Sequence, residues 1–168
     1  MAKTSVVNLF IHGPHSSREG DTVPTPMHAI QQADAVEGCG LRQDERYFRR
    51  ADPGRERPRQ VSLIDEGTIW RHEGLFGSID RSLIKAQIIL AGDVFLPDLL
   101  GAVLSFEGRA ELTLSIHRQP CFAMDLISFG LREAMQAGHQ GALARVTKSG
   151  VIAVGHQVEI SGQLSAVS

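Results

Sequence analysis

What this 168-residue sequence lacks narrows its function before any motif is read. It has only two cysteines, Cys39 and Cys121, far apart in the chain. That pair makes no disulfide framework and no close metal-ligand spacing. Free thiols suit a reducing compartment, so a cytoplasmic protein is expected. The amino-terminal Met1-Ala2-Lys3-Thr4-Ser5-Val6 lacks the apolar stretch of a signal peptide. No apolar run approaches the roughly 18 residues needed to span a bilayer. Net charge is −2, which gives no general basic field. Neither nucleic acid nor a membrane surface is therefore an expected partner.

Several catalytic patterns are missing as well. There is no Gly-x-Gly-x-x-Gly and no phosphate-cradling P-loop, which argues against a Rossmann or P-loop nucleotide site. Gly-x-Ser-x-Gly is absent, which removes the commonest esterase signal. The seven histidines never fall into His-x-Glu, His-Glu-x-x-His or a close Cys-His pattern. His12 and His15 share a loop, a weak hint by itself.

What is present reads as one domain over 1–168, with a core at about 5–160 and a short polar tail. Hydrophobic residues make up 42% of the chain and charged residues 21%, ordinary values for a globular protein. Ser5 to Ile11 reads as a first strand, and His12 to Pro26, rich in proline and glycine, as a loop. Met27 to Val36 fits either a short helix or an irregular strand. Gly38-Cys39-Gly40 marks a tight turn. From Arg42 to Arg59 seven arginines fall within eighteen residues, around an Asp52-Pro53-Gly54 turn. An ordered start near Tyr47-Phe48 and an exposed tip are expected there, as a solvated loop or an anion site.

Gln60 to Ile64 resumes as a strand, and Asp65 is placed to cap a helix from about Glu66 to Glu73 that stops at Gly74. Ile64 and Ile69 occupy hydrophobic-staple positions around that cap. Ile88-Ile89-Leu90 reads as a buried strand. Ala102 to Phe106 and Glu111 to Ile116 alternate around Gly108 as a hairpin pair. Helical spacing follows at Ile127, Leu131, Ala134 and Met135, with Ser128 as cap and Gly138 as stop. A closing hairpin of Ala142 to Val146 with Val151 to Val154 precedes a last strand, Val158 to Ile160. Seven or eight short strands with two modest helices favour a β-barrel or strongly bent sheet over a βαβ fold.

The second strand of the central hairpin delivers the chain into His117-Arg118-Gln119-Pro120-Cys121-Phe122-Ala123-Met124-Asp125. A cysteine that does chemistry works as the thiolate, and positive charge nearby favours that form. Arg118 and His117 are close in sequence and fit that role, while Pro120 holds the backbone extended before the thiol. A small buried hydrophobe is the competing reading of Cys121. The residues alone leave both open.

Four pieces, in order, resemble the MOSC domain (the molybdenum cofactor sulfurase C-terminal domain). Arg118 to Asp125, followed by Gly130-Leu131-Arg132-Glu133-Ala134, is similar to its cysteine motif. Gly40-Leu41 with Asp44 and Arg46-Tyr47-Phe48 is similar to a Gly-Leu-x-Gly-Asp-Arg-Tyr element, here with Gln43 for the glycine and Glu45 inserted. Gln60-Val61-Ser62-Leu63-Ile64-Asp65 resembles a Gln-Val-x-Leu-Ile segment. Gly141 to Val146 with Gly150 to Ile160 resembles its closing strands, with His156 in place of an aspartate. Lys85-Ala86-Gln87 stands where many members have an Arg-x-Asn-like start.

The resemblance implies a mainly β fold, a MOSC-type β-barrel with a few short helices. It implies a reactive Cys121 that carries sulfur as a persulfide or ligates molybdenum in a molybdenum-pterin cofactor. A thiolate suits both tasks, as a sulfane-sulfur acceptor and a soft metal ligand. Arg118, Lys85, Arg46 and His117 become the expected cofactor contacts, because a pterin phosphate wants cationic donors. The implied partners are a cysteine desulfurase-type sulfur donor or a redox partner, and the family also has an association with pyridoxal phosphate. A molybdenum-dependent reductase of N-hydroxylated compounds and a cofactor-free scaffold barrel are the alternatives.

Overall fold

Two strands buried along their whole length, each feeding two cores at once, set the architecture. In the computed structural model, which describes residues 2–14, 18, 20–47 and 60–162, β5 (Val61–Asp65) and β6 (Ile88–Leu90) pair in parallel and are buried throughout. Side chains alternate across a strand, so consecutive apolar residues face opposite ways. Val61, Leu63, Ile88 and Leu90 join the cluster that includes Leu104, Leu112 and Ala144. Ile64 and Ile89 join a second cluster with Ile69, Met124, Leu131 and Met135. A run of apolar residues is what a strand covered on both faces requires.

Around this pair the sheet closes. β1 (Ala2–Ile11), β7 (Val103–Phe106), β8 (Glu111–His117), β9 (Ala142–Lys148) and β11 (Gln157–Ser161) complete seven strands in the order β11-β7-β8-β9-β5-β6-β1. Pairing of β1 with β11, Ala2 opposite Ile160, shuts the barrel. Closure removes the free edge that a seven-stranded open sheet would present. The fold is thus a mainly β closed barrel. β2 (His28–Ala29) extends the end of β1. β3 (Gln32–Val36), β4 (Gly40–Leu41) and β10 (Gly150–Ala153) form a separate three-stranded sheet.

Helices occupy the outer cluster. α1 (Glu66–Phe76) crosses from β5 to β6 and makes one βαβ unit within the barrel. Asp65 caps it as expected: its Oδ2 accepts from the Thr68 N–H at 3.1 Å and its Oδ1 from the Thr68 hydroxyl at 2.7 Å. Contrary to expectation, α1 runs through Gly74 and ends at Gly77, whose φ is +82° and whose N–H bonds the Glu73 carbonyl. Gly74 is exposed with no neighbour near its missing Cβ, so it costs only helix propensity, about 1 kcal/mol.

The segment after Cys121 also differs from the expected single helix. α2 (Ala123–Ile127) begins five residues before the anticipated Ser128 cap, and α3 (Leu131–Ala134) follows a break. Gly130 sits at φ +89°, a left-handed conformation that ends one helical path and starts another. The expected closing hairpin separates too: β9 pairs with β5 and β8, whereas β10 pairs with β3, Val151 opposite Asp34. Met27 to Val36 resolves as strand, not helix. The Asp52-Pro53-Gly54 turn, Phe48 and the last residues of the tail lie outside the described residues. No helix among the described residues is long and apolar enough to cross a membrane.

Candidate functional site

The site forms where six chain segments meet around β5. A cavity of about 320 Å³ is lined by His12 after β1, Arg46, Ser62 on β5, Lys85 and Gln87 before β6, Arg118 and Cys121 after β8, and Gln140 before β9. Gly141 lets these segments approach. At φ +88° a Cβ there would lie 2.1 Å from the Leu63 carbonyl oxygen, so no side chain fits. The Arg118 N–H then reaches the Gly141 carbonyl at 3.1 Å, which fixes the start of the cysteine loop.

Arg118 is buried and spends its guanidinium on the backbone. It donates to the carbonyls of Gln140 (3.1 Å), Ile84 (3.3 Å) and Lys85 (2.8 Å). These bonds tie the loop before Cys121 to the loop before β6. Burial lowers its pKa to about 10, offset in part by the Cys121 charge and reinforced by Arg46. It therefore stays cationic at neutral pH. Lys85 is pushed below its ordinary value by burial and by Arg46, with the Cys121 charge acting the other way. Its ammonium donates to the Thr25 carbonyl, and its backbone adopts φ +66°. Non-glycine residues in that region carry strain of order 1 kcal/mol or more, and such strain gathers at functional sites.

A second network stands on the opposite wall. Asp44 is buried and accepts from the His12 N–H at 2.7 Å, His12 Nδ1 at 3.0 Å, Gln87 Nε2 at 2.9 Å and the Arg46 N–H at 2.7 Å. Desolvation raises its pKa, but the hydrogen bonds and charge of His12, with the Arg46 N–H, outweigh it and hold the carboxyl below its ordinary value. An ionised carboxylate only accepts, which places an imidazole proton on Nδ1. Gln87 Oε1 in turn accepts from the Ser62 N–H at 2.9 Å, and the Ser62 hydroxyl reaches the Lys85 carbonyl at 3.2 Å.

Two buried atoms of cavity-lining residues have no partner among the described residues: His12 Nε2 and Gln140 Oε1. A buried polar atom left unpaired costs about 1–3 kcal/mol, and native proteins keep few of them. Both belong to residues that line the same cavity. No cluster of three or more His, Cys, Asp or Glu side chains is placed to hold a metal among the described residues. Cys121 itself is exposed, whereas Cys39 is buried.

The sequence-derived residues divide accordingly. Cys121, Arg118, Lys85 and Arg46 come together around one cavity; His117, the last residue of β8, is not among its lining residues and sits beside Gly138. His12, Gln87 and Gln140 were missed. Asp44 and Gln87 carried a signal as parts of segments that resemble the family, and His12 a weak one beside His15, whereas Gln140 carried none.

With fold and site described, known structures can be compared. The YuaD protein from Bacillus subtilis superimposes with a TM-score of 0.76 at 17% identity, over 96% of this chain and 98% of that one. This fold is MOSC-type. YiiM from Geobacillus stearothermophilus matches with a TM-score of 0.69 at 17% identity, over 95% of this chain and 75% of that one. YiiM from Escherichia coli gives 0.68 at 14%, over 100% and 74%. No protein-family model and no curated protein sequence matches the chain. At these identities the likeness carries the MOSC-type fold alone.

Proposed function

We propose that this MOSC-type barrel holds a molybdenum-pterin cofactor in the cationic cavity, or carries sulfur as a persulfide on Cys121, or does both. The observation that carries the reading is an exposed thiol sharing a cavity with three cationic side chains. Arg46, Lys85 and Arg118 supply positive charge for a phosphate, with Arg118 acting by field because its donors serve backbone carbonyls. Gln140 Oε1, without a partner among the described residues, is an acceptor suited to the N–H edge of a heterocycle, and His12 Nε2 offers a second polar contact. A volume of about 320 Å³ falls at the lower end of small-molecule cavities. The residues present fit the group.

Cys121 provides the soft sulfur ligand in this reading, and the cofactor supplies two-electron oxygen-atom exchange when bound. The chain's own part is to hold Cys121 with the Arg118 clamp, to fix His12 through Asp44, and to neutralise anionic charge. Two buried or exposed free thiols without disulfide partners fit a reducing, cytoplasmic setting.

Metal analysis of protein from a cofactor-competent host, paired with cyanolysis of the same sample, tests the proposal. Molybdenum or a cyanolysable sulfur that disappears in Cys121→Ala is expected. Molybdenum with turnover of N-hydroxylated compounds would make the protein a reductase. Neither group on the wild type, with Cys121→Ala indistinguishable from it, would leave a scaffold barrel.

A further inference from the structure

Among the described residues, no carboxylate answers the three cations in the cavity. No acidic side chain is among the lining residues, and none of Arg46, Lys85 and Arg118 forms an ion pair with another described residue. Asp44 stands behind the wall, its Oδ2 taken by His12 and Gln87. A neutral ligand would leave that field unbalanced. A persulfide on a protein loop brings at most one charge, whereas a small dianion would balance two of the three cations. The only thiol among the described lining residues is the exposed Cys121, and its charge acts on both Lys85 and Arg118.

We infer that the sulfur donor for Cys121 is a small oxyanion bearing a sulfane sulfur, of which thiosulfate is the simplest. This deepens the sulfur-carrying form of the proposed function and rests on it. The Cys121 thiolate attacks the outer sulfur of thiosulfate, forming a new S–S bond to Cys121. The original S–S bond breaks, and its electron pair leaves with sulfite. One thiolate and one thiosulfate become one cysteine persulfide anion and one sulfite, so charge and electrons balance without an added oxidant or reductant. Arg46 and Lys85 hold the sulfonate end, and the same cations accept the charge that develops on departing sulfite.

The test gives purified protein either thiosulfate or an uncharged organic trisulfide, then measures adducts on Cys121, sulfite release, and thiocyanate after cyanide. The expected result is an adduct of about 32 Da, one sulfur atom, on Cys121 from thiosulfate, with equal sulfite released. Arg46→Gln, a change at an exposed position, should raise the thiosulfate concentration for half-loading by about tenfold, and Lys85→Gln by at least as much. Both changes should raise the half-loading concentration of the trisulfide far less than that of thiosulfate, a control that also reports a folded, reactive site. Loading from trisulfide but not thiosulfate would overturn the oxyanion donor and leave the carrier reading standing. Loading from thiosulfate that ignores both substitutions would also overturn the cationic recognition. No loading from either donor would overturn the inference together with the sulfur-carrying reading beneath it.

Discussion

The two cysteines occupy opposite kinds of environment, and the contrast locates the chemistry. Cys39 is 5% exposed and lies in the turn between β3 and β4, where Gly38 at φ +74° and Gly40 at φ +109° reverse the chain. Its N–H closes the turn on the Val36 carbonyl at 2.9 Å. Beside Gly40 there is no room: a Cβ there would lie 2.9 Å from the Gln60 carbonyl oxygen. Cys121 is exposed on a loop held from below by a buried arginine, and faces cations. One thiol is packing material, the other is presented. The lesson is that a cysteine's surroundings, more than its sequence neighbours, decide which it is.

Differential alkylation should show the largest difference. Native protein treated with iodoacetamide is expected to label Cys121 at least about a hundredfold faster than Cys39, which needs local opening to react. Equal rates would erase the contrast. Removing the support under Cys121 comes next. Arg118→Leu removes three hydrogen bonds to carbonyls, two of which keep a second donor in Ser62 and Gln140, and is expected to cost about 2 kcal/mol in denaturant unfolding. Arg118→Lys should recover little, because an ammonium cannot span carbonyls from two loops.

The Asp44 wall sharpens the comparison through pH. The Asp44 folded-state pKa lies below the ordinary 3.8. Its contribution to stability is therefore whole above that unfolded value and is lost as pH falls through the lower folded value. The gap in unfolding free energy between wild type and Asp44→Asn should be constant near neutrality and shrink below about pH 4. Smallest are the effects of trimming the thiols themselves. Cys39→Ala should lose about 1 kcal/mol from a filled turn, while Cys121→Ala should leave the unfolding midpoint unchanged.

Much of the barrel was legible because single residues announce single strands. Ile88-Ile89-Leu90, the Gly108 hairpin and the Asp65 cap all follow local rules of alternation and capping. Closure was not legible, because pairing of Ala2 with Ile160 is a register between chain ends that no local pattern encodes. For the same reason β9 and β10, adjacent in sequence and alike in pattern, were read as partners although they belong to different sheets. In the site, the thiol and its sequence neighbours pointed to Cys121 and Arg118, and the family resemblance pointed to Arg46 and Lys85. His117 read as a neighbour of Cys121 by sequence distance, but it ends β8 outside the lining of the cavity that Arg118 and Cys121 enter. His12 arrives from the far end of β1 and gains meaning only when Asp44 holds it.

Peptide-level mass spectrometry after incubation with sulfane-sulfur donors tests the central claim most directly. An added sulfur confined to the peptide containing Cys121, absent from the Cys39 peptide and removed by cyanide, is the predicted result. Sulfur on Cys39, or on neither peptide under either donor, would contradict sulfur carriage by the cationic cavity.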